Sequence, residues 1–165
     1  MCSLRSHALA ALLVFATLIA PASARCAPAE ITRVWTEFRT DQERARLSDR
    51  LRGRPPRPRP HELRSQPAEA GGFYFALRLY RSQPLRTQDL SVRLSVVAPD
   101  AAEPRIYTFA VPPSPTRKLR LELGITGADW PHGSTQPLAW CIEVIDAQGA
   151  LIAREESYLW SFPTR

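Results

Sequence analysis

The stretch FYFALRLYR, Phe73 to Arg81, alternates large apolar side chains with smaller, polar or amphipathic ones. In an extended chain successive side chains point to opposite faces, so Phe73, Phe75, Leu77 and Leu79 share one face, and Tyr74, Ala76, Arg78 and Tyr80 share the other. This period of two predicts a half-buried strand.

The same pattern recurs downstream. Leu90 to Val97 turns Leu90, Val92, Leu94 and Val96 inward and Ser91, Arg93 and Ser95 outward. Arg105 to Val111 aligns Tyr107, Phe109 and Val111, and Lys118 to Leu123 aligns Leu119, Leu121 and Leu123. Leu138 to Ile145 puts Leu138, Trp140, Ile142 and Val144 on one face, then Asp146-Ala147-Gln148-Gly149 predicts a turn into a returning strand from Ala150. Ser157 to Phe162 closes the set, with Tyr158, Trp160 and Phe162 aligned. Upstream, Glu30 to Phe38 fits either period and is read as a first strand. About seven short strands without βαβ alternation predict an all-β, two-sheet sandwich.

Before Gly71-Gly72 the character differs. Asp41 to Leu51 is rich in helix formers, with Asp41 as expected N-cap and Glu43 in the first turn, and predicts a short surface helix ending at Gly53. Arg54-Pro55-Pro56-Arg57-Pro58-Arg59-Pro60 lacks the amide donors of a helix or an interior strand and predicts an extended linker. Residues 25–72 are thus expected as an N-terminal arm of possible first strand, short helix and linker before a sandwich spanning 73–165, with Gly53 to Gly72 mobile and separable from the core and His61 as a solvated linker residue.

The chain opens with Arg5, an uncharged run from Ala8 to Ala20 and Ala22-Ser23-Ala24, the order of a cleavable export signal. Cleavage after Ala24 predicts a periplasmic or secreted protein, and the apolar run is too short for a membrane span. From Arg25 to Gln66 there are 11 arginines against 6 acids, whereas from Pro67 onward basic and acidic residues balance at 10 each. Lys118 is the only lysine against 21 arginines, a skew that codon bias explains more economically than selection for phosphate forks. High basicity therefore does not argue for a nucleic-acid partner. The arm residues Arg54, Arg57 and Arg59 could engage an anionic partner such as an envelope polysaccharide. Cys26 and Cys141 are the two cysteines left after cleavage, and an exported chain permits them to pair.

Over Phe73 to Phe162 the strand spacing resembles immunoglobulin-like and fibronectin type III-like sandwiches. The runs GITGADWP and PLAWCIEVIDAQGALIAREESYLW are similar to small exported bacterial proteins that have no assigned activity. The antibody pattern would place a tyrosine two residues before a second cysteine; here Ala139 precedes Cys141. The resemblance implies a fold and no mechanism.

Candidate chemistry is sparse. Asp129, His132 and Ser134 lie too close together in one loop to orient one another as a triad. His132 and Asp129 supply two ligands where a metal site needs about four. Glu155 and Glu156, adjacent on a strand, face opposite ways and cannot act as a carboxylate pair. No catalytic residue, metal or cofactor is expected. Of the tryptophans, Trp140 and Trp160 fall at inward positions, leaving Trp130, with Asp129 and His132 as polar partners, as the candidate sugar-stacking loop or, alternatively, a lid on the core. The sequence reads as an exported, non-enzymatic interaction or structural module, with carbohydrate binding through Trp130 or an edge-strand assembly role as alternatives.

Overall fold

The computed structural model describes residues 29–44, 51–53, 61–82 and 90–161. Among these residues eight strands make two four-stranded sheets: β1 (Ala29–Arg39), β2 (Glu62–Arg64), β3 (Gly72–Arg81), β4 (Leu90–Val97), β5 (Arg105–Ala110), β6 (Lys118–Thr126), β7 (Ala139–Asp146) and β8 (Leu151–Glu156). The first sheet runs β1-β3-β6-β2 and the second β5-β4-β7-β8. All pairings are antiparallel except that of β2 with β6. The chain is an all-β, two-sheet sandwich.

The inward faces are those that the alternation predicts. Phe73, Phe75, Leu77 and Leu79 of β3 and Leu119, Leu121, Leu123 and Ile125 of β6 form one core with Val92, Leu94 and Val96 of β4 and Ile142 and Val144 of β7. The β7–β8 turn also forms as predicted: Gly149 takes φ +83, and Asp146 Oδ1 accepts from the Gln148 and Ala150 amides at 2.9 and 2.8 Å.

Several expectations need correction. The stretch read as an arm belongs partly to the sandwich, since it contributes both β1 and β2. His61 is half-buried at φ +66, and its carbonyl accepts from Glu122 N at 3.0 Å. Helix α1 (Asp41–Arg44) opens where the helix is expected, and residues 45–50 lie outside those described; its cap is Thr40 and not Asp41, with Thr40 Oγ1 accepting from Glu43 N while Glu43 Oε2 accepts from Thr40 N at 2.8 Å. Asp41 Oδ1 accepts from the Ala70 amide at 3.0 Å instead, fastening the turn to the start of β3. Leu138 lies outside β7 and is exposed. The described part of the expected last strand, residues 157–161, is not a strand: β8 ends at Glu156, Trp160 N closes a turn on Ser157 O at 3.0 Å, and Tyr158 is 77% exposed. Trp160 is half-buried there, outside the core. The segment read as an export signal, Phe162 and the proline run with Arg54, Arg57 and Arg59 lie outside the described residues.

Candidate functional site: a cationic face on the first sheet

With Phe75, Leu77 and Leu79 inward, β3 turns Tyr74, Ala76, Arg78 and Tyr80 outward. A bulge between Ile31 and Arg33 resets the phase of β1, so that Arg33, Trp35, Glu37 and Arg39 come onto the same outer face. On β6 the matching outward residues are Lys118, Arg120 and Glu122. Register then decides what meets what: Arg33 pairs with Arg78 and Arg78 with Arg120, so three arginines stand in one row across three strands.

Like charges placed directly across a sheet are destabilising. Here all three converge on one aromatic ring. The guanidinium carbons of Arg33, Arg78 and Arg120 lie 4.5, 5.0 and 6.0 Å from the centroid of the Trp35 ring, where the negative π face offsets part of their repulsion. Ala76, buried between Trp35 and Glu122 in the register, is the small residue of that row. Glu122 pairs with Arg39 at 2.9 Å and Arg120 at 3.3 Å, and Glu37 also pairs with Arg39. Among the described residues neither Arg33 nor Arg78 is paired with a carboxylate. A groove of about 370 Å³ adjoins the row, lined by Thr32, Arg78, Tyr80, Lys118 and Arg120.

The far end of this face is closed. Arg64 Nε bonds Glu62 Oε1 at 2.7 Å with both side chains buried, and Arg64 Nη1 reaches the Pro67 and Glu69 carbonyls at 3.4 and 3.3 Å. Tyr74 Oη donates to the Ala70 carbonyl at 2.6 Å, and its ring lies so close to β6 that a Cβ at Gly124 would come within 2.6 Å of it. At the other end of β3, Arg81 is 2% exposed and donates to the Thr116 carbonyl at 2.6 Å. Arg64 and Arg81 serve the fold; Arg33 and Arg78 face solvent.

The loop after β6 differs from the sugar-stacking expectation. Trp130 is 4% exposed, packs its ring 5.2 Å from Phe73 and donates Nε1–H to the Gly133 carbonyl at 3.0 Å. It is a lid on the core, because Phe73 offers an apolar surface that the indole can bury. His132 stands edge-on to Trp130 at 5.0 Å and 3.2 Å from Asp100 Oδ1. The Asp129 carbonyl accepts from Arg105 Nη1 at 3.4 Å, and burial, then the Asp129 carboxylate, push the Tyr107 phenol up. These contacts hold the loop down and leave Trp130 no free ring face.

The expected bridge from Cys26 to Cys141 involves a residue outside those described; Cys141 itself is a free, buried thiol. It lies on the outer side of β7 beside Ser95 and Glu156 in the register, and burial pushes its thiol up to about 11. Among the described residues no helix is long and apolar enough to cross a membrane.

The row Arg33-Arg78-Arg120 was not found from sequence. Arg78 was correctly placed outward, but its neighbours come from strands about 45 residues before and 42 after it, and register alone unites them. The alternation puts Arg78 and Arg120 outward, but Arg33 shares the phase of Ile31 in sequence and reaches the outer face only through the bulge. Comparison of the chain with protein-family models, curated proteins and solved structures returns no match.

Proposed function

We propose that this protein is an exported, immunoglobulin-like binding module that takes an anionic partner on the outer face of β1, β3 and β6. One observation carries the binding reading: three guanidinium groups gather round one tryptophan, and among the described residues two of them have no carboxylate partner. A sheet gains nothing in stability from such a row, whereas an arriving anion gains several charge-assisted hydrogen bonds.

The immunoglobulin-like reading is supported by strand order. β1, β3 and β6 in one sheet and β5, β4, β7 and β8 in the other correspond to strands A, B, E and C′, C, F, G, with β2 at the edge that strand D takes in that fold. Export is supported by the order of charge, apolar run and Ala-Ser-Ala in the first 24 residues.

The test is retention on an immobilised polyanion such as heparin at low ionic strength. The protein should be retained and should elute as salt rises. The double variant Arg33→Gln, Arg78→Gln should elute at clearly lower salt, and Arg93→Gln, which removes a paired arginine from the other sheet, should elute close to the parent. Equal shifts for the two variants would mean that net charge, and not this face, governs retention.

A further inference from the structure

Resting on that reading, we infer that the face takes a phosphate monoester carried on a sugar, with the phosphate among Arg33, Arg78 and Arg120 and the ring in the adjoining groove.

The geometry of the charges favours a phosphate. A carboxylate has two oxygens, which one bidentate guanidinium fork can satisfy, so with Arg120 already beside Glu122 it would still leave one of Arg33 and Arg78 unneutralised. A phosphate monoester carries close to two charges near neutral pH and three terminal oxygens, enough to share among several forks. The three guanidinium groups converge: all three of their carbons lie within 6.0 Å of one ring centroid. The chain's own unassigned basic stretch, Arg54 to Pro60, has the wrong sign to fill the place.

The groove argues for a ring beyond the phosphate. At about 370 Å³ it falls within the size of small-ligand sites, and Arg78 and Arg120 belong to both its wall and the arginine row. Its other walls are mixed. Tyr80 is 40% exposed and offers one aromatic face, while the Thr32 hydroxyl and the Lys118 ammonium supply polar contacts. Leu79 and Leu119 also line it, so apolar surface predominates; this suits the apolar C–H faces of a pyranose, and the polar minority suits its rim of hydroxyls. A nucleobase gains most when held between two flat side chains, and the second ring here, Trp35, already has guanidinium groups over it.

Isothermal titration calorimetry of the full chain with glucose 6-phosphate, inorganic phosphate, glucuronate, glucose and adenosine monophosphate tests this. Glucose 6-phosphate should bind about tenfold or more tighter than inorganic phosphate or glucuronate, and glucose should give no heat. Arg33→Gln or Arg78→Gln should each weaken glucose 6-phosphate by about tenfold, the loss of one charged hydrogen-bonding group. Tyr80→Ala should abolish the advantage over inorganic phosphate while leaving phosphate binding itself. All three positions are solvent-facing, and an unchanged melting temperature shows that folding is intact. Equal affinity for all the anions, tighter binding of adenosine monophosphate, or an equal loss in Arg93→Gln would overturn the inference. If glucose 6-phosphate fails while heparin retention still depends on Arg33 and Arg78, the sugar-phosphate assignment falls alone and the anion-binding face stands.

Discussion

Each sheet carries a three-residue row of charges across its outer face, and the two rows differ in one respect. On the second sheet Arg93, Glu143 and Arg154 are direct cross-strand neighbours, so the signs alternate. Glu143 meets Arg93 at 3.2 Å and Arg154 at 3.5 Å, and Arg154 continues to Glu156 at 2.7 Å. On the first sheet the row reads Arg33, Arg78, Arg120. One lattice is closed on itself and has Cys141 and Ile145 buried on its side of the sheet; the other is open and holds its like charges together only through Trp35 and, for Arg120, through Glu122. What separates a surface that stabilises from one that waits for a partner is whether the register places a carboxylate between the arginines.

The comparison predicts a graded set of effects. The largest lies at the closed end of the first sheet. Glu62→Gln should leave Arg64 charged and buried without its counter-ion, at a cost of about 3 to 5 kcal/mol in chemical denaturation. A loss below about 1 kcal/mol would show that this end of the face is no more structural than the open row.

An effect of intermediate size belongs to the second sheet. The folded state holds the Cys141 thiol neutral, with its pKa raised from 9.0 to about 11 by burial. That contribution is therefore complete below pH 9 and is lost as the pH climbs towards 11, where the unfolded chain releases the proton first. Compared with the parent, Cys141→Ala should flatten the fall in stability between pH 9 and 11, a difference on the order of 1 kcal/mol. Parallel curves would mean that the cover over Cys141 admits water freely.

The smallest effect has the most informative sign. Raising salt screens repulsion in the open row and attraction in the closed one. The stability difference between the parent and Arg33→Gln/Arg78→Gln should therefore move in the parent's favour with salt, and that between the parent and Arg93→Gln should move against it. Each shift should amount to a few tenths of a kcal/mol in paired melts at low and high ionic strength. Shifts of the same sign would dissolve the distinction between the faces.

Much of the sandwich was legible because its central strands bury one face and expose the other. Phe73 to Arg81 and Leu90 to Val97 could hardly be read otherwise. β2 was missed because its two outer-face residues, Glu62 and Arg64, are charged and look solvated in sequence, yet they neutralise each other under the 65–71 loop. Ser157 to Phe162 misled for the opposite reason. Its alternation is real, but after Ser157, whose amide still bonds the Trp140 carbonyl at 2.9 Å, the chain turns on itself at Trp160, so residues 158–161 have no strand beside them to make the period meaningful. The Trp130 loop was legible as a loop with a lid as one outcome; the lid is what the Phe73 contact produces. The arginine row was not legible at all, because a single bulge in β1 sets which of its side chains stand beside Arg78.

The three-residue strand β2 also bears on how the molecule behaves in a crowd. It lies along β6, bonding through Glu122 N to the His61 carbonyl at 3.0 Å and through Ser65 N to the Gly124 carbonyl at 2.8 Å. Without it, β6 would offer a nine-residue open edge rich in alternating leucines, a template onto which a second chain could add. A short edge strand carrying its own paired charges blunts that template. Resistance to chain-upon-chain polymerisation at high concentration thus depends on a segment that adds little more than Leu63 to the core.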